Sequence, residues 1–121
     1  MRIVYHSFTG NCARFAHMLD ENATSIANLP KVEEDTLLIF PTVGFGQVPP
    51  IVKRYLRTNR EHIKFVVSSG NRNWGPNFAK GADIITQHLS IPSYKIELAG
   101  TPEDVETVKK QIATLLNNPQ I

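Results

Sequence analysis

Apolar and polar positions along this chain switch repeatedly between a two-residue and a helical period, and the switches divide it into strands and helices. Residues 2–6 (RIVYH) are a short apolar run suited to a buried first strand, and it stops at Ser7-Phe8-Thr9-Gly10-Asn11. Cys12, Phe15, Ala16 and Leu19 then recur at i, i+3, i+4 and i+7, which predicts a helix with Asn11 as its N-cap. Residues 24–27 are a weak strand candidate. Residues 36–40 (TLLIF) are a strong one, apolar on both faces as parallel strands between helix layers are. Pro49 and Pro50 stand where a first helical turn tolerates proline, and Ile51, Val52, Tyr55 and Leu56 give the helix that ends near Asn59 its apolar face. Residues 63–69 (IKFVVSS) repeat the strand pattern, and Phe78, Ala82, Ile85 and Leu89 mark the following helix. Residues 94–98 (YKIEL) alternate as an edge strand does. Thr101-Pro102-Glu103-Asp104 is close to a capping box for a last helix carrying Val105, Val108, Ile112 and Leu115. Strands alternating with helices on short connections predict a doubly wound α/β fold: a parallel five-stranded sheet with helices on both faces, in one domain over residues 1–121.

Composition narrows the class without naming a function. The 121 residues are 41% hydrophobic and 20% charged, which excludes disorder, collagen and coiled coil. No apolar run reaches the roughly 18–20 residues of a membrane span, and no leader-like start is visible. Cys12 is the single cysteine, so no internal disulfide or multi-cysteine metal site is possible and a reducing cytoplasm is expected. A net charge of +2, with basic residues scattered along the sequence, argues against nucleic acid. A monomer is expected.

In a doubly wound fold, ligands bind beyond the carboxyl ends of the strands at the topological switch point. Three predicted strands empty into loops rich in Gly, Asn, Ser and Thr. One such glycine usually only turns the chain; three such loops on one sheet edge point to a site. In the first, Ser7, Thr9 and Asn11 offer side-chain donors beside Phe8, and Gly10 lets the backbone approach a ligand. The helix that follows aims its free N–H groups and positive dipole end into the loop, a phosphate site that needs no Lys or Arg. Neither GxGxxG nor a Walker A pattern is present, which tells against dinucleotides and nucleoside triphosphates. In the second loop, Thr42, Val43, Gly44, Phe45 and Gly46 combine two conformationally free glycines with one aromatic. In the third, Ser69, Gly70, Asn71, Asn73, Trp74 and Gly75 surround the only tryptophan with amides. A stacking platform is the preferred reading of Trp74, and a loop anchor the alternative. Together these loops describe a site for a flat phosphorylated ligand, and FMN fits best.

The residues also carry a family resemblance over essentially the whole chain. Ser7-x-Thr9-Gly10-Asn11 after the first strand resembles the phosphate loop of flavodoxins. The segments 41–49 (PTVGFGQVP), 69–75 (SGNRNWG) and 94–101 (YKIELAGT) resemble, more narrowly, the NrdI family. The specific element is SGNRNWG. The resemblance implies a small flavodoxin-like FMN protein that serves a class Ib ribonucleotide reductase. It implies that the flavin, reduced by an electron donor, reacts with dioxygen and supplies superoxide or a related species to the reductase's dimanganese small subunit. Side chains would then not be catalytic; the Gly44, Phe45 and Gly46 backbone would lie near flavin N5. Cys12 departs from the Thr common in flavodoxin phosphate loops, so either its backbone N–H makes the contact or phosphate affinity is reduced. The 42–48 loop is short and lacks the acidic surround of electron-carrier flavodoxins. Arg72 could favour an anionic reduced flavin, or be a solvated loop arginine or a partner contact.

Other chemistries fit poorly. A cysteine phosphatase needs an arginine where Met18 stands, and His6-Ser7 offers no acidic cluster for a receiver domain. The GxSxG elbow is absent. His6, His17, His62 and His88 lack metal-ligand spacing and read as surface or strand-end histidines. Cys12 reads as a small hydrophobe on the inner helix face. A generic flavodoxin shuttling single electrons remains the alternative function, and a non-redox phosphate-ligand module a weaker third.

Overall fold

The computed structural model describes residues 1–43 and 46–117, with nothing said of the side chains of 116 and 117. The chain runs β1 (Arg2–Tyr5), α1 (Asn11–Leu19), β2 (Thr24–Ser25), β3 (Thr36–Pro41), α2 (Pro50–Asn59), β4 (Ile63–Gly70), a 3-10 segment (Arg72–Asn77), α3 (Lys80–Leu89), β5 (Ser93–Glu97) and α4 (Pro102–Asn117). The strands form one sheet in the order β2-β1-β3-β4-β5, and every pairing is parallel.

The two-residue period of the strands sorts their side chains into two cores. Val4, Leu38, Phe40 and Val66 point to one face and meet Val52, Tyr55 and Leu56 of α2 and Ile85 of α3. Ile3, Leu37, Ile39 and Val67 point to the other and meet Cys12, Phe15 and Ala16 of α1 and Val105 and Val108 of α4. Burial on both faces is why residues 36–40 read as an unbroken apolar run. The fold is the expected one: doubly wound, with helices on both faces.

Local differences from the expectation have physical reasons. Gly10, not Asn11, is the N-cap of α1, in the left-handed region at φ 90° and ψ −8°, and Asn11 is already helical. The weak strand shrinks to two paired residues, Thr24 and Ser25. Phe78 lies outside α3. Gly75 at φ 57°, Pro76 and a left-handed Ala79 break the helical path, so α3 starts at Lys80. The last helix is capped reciprocally as expected: the Asp104 N–H donates to Thr101 Oγ1 at 3.1 Å and the Thr101 N–H to Asp104 Oδ2 at 2.9 Å. The helix α3 packs close on the sheet at Gly81, where a Cβ would stand 2.7 Å from Phe40 Cε2.

Candidate functional site

The strand order places the topological switch between β1 and β3, because the chain leaves β1 toward β2 and returns on the opposite side as β3. A cleft of about 340 Å³ opens beyond the carboxyl ends of β1, β3 and β4. Of the residues singled out from sequence, Ser7, Phe8, Thr9, Asn11, Cys12, Thr42, Val43, Ser69, Gly70, Asn71 and Trp74 line it, joined by Pro41 and Leu98. Gly10, Gly46, Asn73 and Gly75 are not in its lining. Gly44 and Phe45 lie outside the described residues.

The first wall is built around a bare helix end. The first bond of α1 runs from the Arg14 N–H to the Gly10 carbonyl at 2.9 Å, so the N–H groups of Asn11, Cys12 and Ala13 have no partner within the helix. No side chain caps them. Ser7 Oγ instead accepts the Gly10 N–H at 3.0 Å, which folds the loop and leaves the hydroxyl proton available. The Arg14 guanidinium lies 3.9 Å from where a Cβ on Gly10 would stand, bringing a cation to the loop. Arg14 was not singled out from the sequence, where the cradle was expected to need no Lys or Arg. One helical turn carries a side chain from position 14 back over position 10, and this i, i+4 relation was the available signal.

Behind the cradle, Cys12 is buried against Ser69. Burial pushes its thiol up to about 12 against the opposing hydrogen bond to Ser69, so the thiol stays neutral. This agrees with Cys12 as a packing residue on the inner face of α1.

The second and third walls are held by internal bonds. Thr42 Oγ1 shares a 2.8 Å hydrogen bond with Ser68 Oγ and accepts the Gly81 N–H at 3.0 Å. Ser69 donates its hydroxyl to the Leu98 carbonyl at 2.6 Å. Both hydroxyls are thus engaged in fixing the walls. Val43 and Gln47 exchange two backbone bonds of 2.8 and 2.7 Å, closing the base of the second loop. Gly46 stands at φ 92°, where a Cβ would meet Lys80 Cδ at 3.0 Å. At Gly70 a Cβ would stand 2.5 Å from the Ala79 backbone nitrogen, so only glycine lets β4 pass there.

The third loop is a self-bonded turn: the Asn71 side chain accepts the Asn73 N–H at 2.9 Å, and the Asn71 carbonyl accepts the Trp74 N–H at 3.0 Å. This turn leaves Trp74 43% exposed at the cleft, with Phe8 at 67% and Leu98 at 50%. Three exposed apolar side chains sharing one cleft offer faces to a planar ligand. Arg72 turns away from the cleft. Its guanidinium stands 3.5 Å from the Glu97 carboxylate and 4.7 Å from the Phe78 ring centroid, on an exposed surface.

Leu98 is the wall that sequence reasoning missed. Read as the end of an alternating strand, it lies one residue beyond β5 in the left-handed region at φ 53°, which a bulky residue rarely adopts. Next to the first loop, the His6 ring meets Phe8 edge-on with centroids 4.9 Å apart, and its buried Nε2 has no hydrogen-bond partner. Burial lowers the His6 pKa from its usual 6.5.

With this geometry in view, comparison with known proteins settles the family. Residues 3–110 match the family described as NrdI Flavodoxin like. The chain belongs to that family. This NrdI flavodoxin-like chain is a flavodoxin-like flavoprotein, and its fold is shared with solved flavodoxins. It is similar to oxidised flavodoxin 1 from Bacillus cereus, with 18% identity, 98% of this chain and 97% of that one covered, and a TM-score of 0.67. It is also similar to a short-chain flavodoxin associated with a non-canonical PDU bacterial microcompartment, with 17% identity, 98% and 97% coverage, and a TM-score of 0.68. Among the described residues no helix is long and apolar enough to cross a membrane.

Proposed function

We propose that this NrdI-type protein holds FMN in the cleft and serves the dimanganese small subunit of a class Ib ribonucleotide reductase. The observation that carries the FMN reading is the bare end of α1. Its first N–H groups are uncapped and open into the same cleft as Phe8, Trp74 and Leu98. A phosphate suits those donors and the dipole behind them, with Arg14 adding charge. Ser7 and Thr9 supply hydroxyls at the cradle, and Trp74 offers the face on which a flavin ring would stack. FMN held there by these residues would supply the reducing equivalents, drawn from an electron donor, that convert dioxygen to superoxide or a related reduced species for assembly of the partner's dimanganese–tyrosyl radical cofactor.

The chain's own residues favour this role over single-electron shuttling. No carboxylate is among the described residues that line the cleft, and Glu97, at the end of β5, is engaged by Arg72. An anionic reduced ligand is therefore not opposed by fixed negative charge. Exposed apolar walls leave one side of the cleft open to a small neutral oxidant and to a protein partner.

The test begins with purified protein titrated with FMN, followed by anaerobic reduction and exposure to dioxygen with a superoxide trap and a manganese-loaded class Ib small subunit. Binding at one FMN per chain, trapped superoxide and radical formation in the small subunit are expected. FMN binding with slow oxygen consumption and no radical would favour the electron carrier.

A further inference from the structure

The 13 basic residues look scattered in sequence, but α2 and its C-cap residue Arg60 bring four of them to one side. At 100° per residue, Lys53, Arg54, Arg57 and Arg60 fall within about a third of the helix circumference, opposite the buried Val52, Tyr55, Leu56 and Asn59. All four are exposed, and among the described residues none pairs with a carboxylate. Lys53 and Arg57 are like charges at i, i+4, and Arg54 and Arg57 at i, i+3, so both pairs oppose the helix. The macrodipole accounts for Arg57 and Arg60 near the C-terminal end, but works against Lys53 and Arg54 in the first half. The stripe is therefore not explained by the stability of the helix.

Beside it runs a groove of about 310 Å³, lined by Ile26, Ala27, Pro30, Ile51, Arg54 and Tyr55, among others. Its walls are fixed in advance. Tyr55 donates its hydroxyl to the Leu29 carbonyl at 2.8 Å, and the buried Asn59 side chain accepts the Val32 N–H at 2.9 Å and donates to the Pro30 carbonyl at 3.1 Å. Ile51 remains 39% exposed at the edge of this apolar groove. We infer that the α2 face is a docking surface for an acidic protein partner, whose carboxylates meet Lys53, Arg54, Arg57 and Arg60 while one apolar side chain enters the groove.

Charge complementarity selects the class of partner. A net charge of +2 is too low for general nucleic-acid affinity, and a small apolar groove has no use for a phosphate backbone. One exposed isoleucine on the helix gives a membrane little to hold. A groove for an apolar side chain set beside desolvatable cations is the anatomy of a protein interface. Only the first turn of α2, at Pro50, adjoins the loop that borders the cleft, and Arg57 and Arg60 lie toward the other end of the helix, so the groove and the cleft are separate features. The surface does not depend on what fills that cleft.

The probe is a short fluorescein-labelled peptide of glutamates around a single leucine, with binding followed by anisotropy at low and at physiological salt. The wild-type protein is compared with R54E/R57E, and with K109E/K110E on the exposed face of α4, which changes net charge equally. Affinity is expected to fall about tenfold or more in R54E/R57E and to stay within about twofold in K109E/K110E. The neutral pair R54Q/R57Q should give an intermediate loss, and it replaces R54E/R57E if that variant melts early. Absence of binding to the wild-type protein, or equal losses in both charge-reversed variants, would overturn the proposal. Tighter binding of an oligo-dT strand or of anionic vesicles than of the peptide would overturn it too, in favour of those partners.

Discussion

Ser69 donates its hydroxyl to the carbonyl oxygen of Leu98 at 2.6 Å, and that bond, with the Leu98 N–H on the Gly70 carbonyl at 3.0 Å, holds a leucine in the left-handed region at the edge of the cleft. Ser69→Ala leaves the Leu98 carbonyl without this donor, so a loss of about 1–2 kcal/mol in stability is expected from urea unfolding. Leu98→Gly relieves the backbone strain while removing the wall. It should change stability by less than about 1 kcal/mol, because glycine's own entropy cost opposes the relief, yet weaken FMN binding.

Trp74 is placed at the cleft by its turn rather than by a core. Trp74→Ala should therefore weaken FMN binding by about 1–2 kcal/mol in a fluorescence titration while the thermal midpoint barely moves. Unfolding with unchanged FMN affinity would make Trp74 an anchor of the third loop instead.

His6 sets a pH dependence with a definite sign. Its folded pKa lies below the usual 6.5 because the ring is partly buried and Nε2 has no partner. As pH falls, the unfolded chain takes up the proton first. Stability contributed by the neutral ring is thus present above about 6.5 and is lost as pH falls below it toward the lowered value. Urea midpoints measured across this range should decline on acidification, and His6→Gln should flatten the decline.

The sheet was legible because β1, β3 and β4 are buried on both faces, and a doubly buried strand writes an unbroken apolar run into the sequence. Most of the cleft was legible too, since Ser7, Asn11 and Trp74 are polar or aromatic residues in glycine-rich loops at strand ends. Leu98 was not. Its left-handed conformation depends on Ser69 and Gly70 of a neighbouring strand, which no local pattern records. Phe78 carried the helical spacing of α3 but lies outside it, because the left-handed Ala79 intervenes. The bare cap at Gly10 ran against the expectation that Asn11 would serve, and it leaves the donors free for a ligand.

With Val43 and Gln47 joined by two backbone bonds, we expect any redox-linked rearrangement of the second loop to fall within residues 44–46. A backbone difference there between oxidised and reduced FMN-bound crystals is expected, with the 43–47 bonds unchanged. Gly46→Val meets both a positive φ and the Lys80 side chain, so it should shift the flavin's redox potential more than it changes phosphate affinity. Identical loops in both states would remove the switch.

The uncapped end of α1 is where the FMN phosphate is expected to sit. A fluorescence-quenching titration of FMN with the wild-type protein and with Gly10→Asp tests it most directly. The substituted carboxylate would stand beside Arg14 and the free N–H groups, where the phosphate must approach. Saturable binding at one FMN per chain, abolished by Gly10→Asp in a protein that still melts cooperatively, is the predicted result. A wild-type protein that leaves FMN fluorescence unchanged, or a Gly10→Asp variant that binds as well as the wild type, would contradict it.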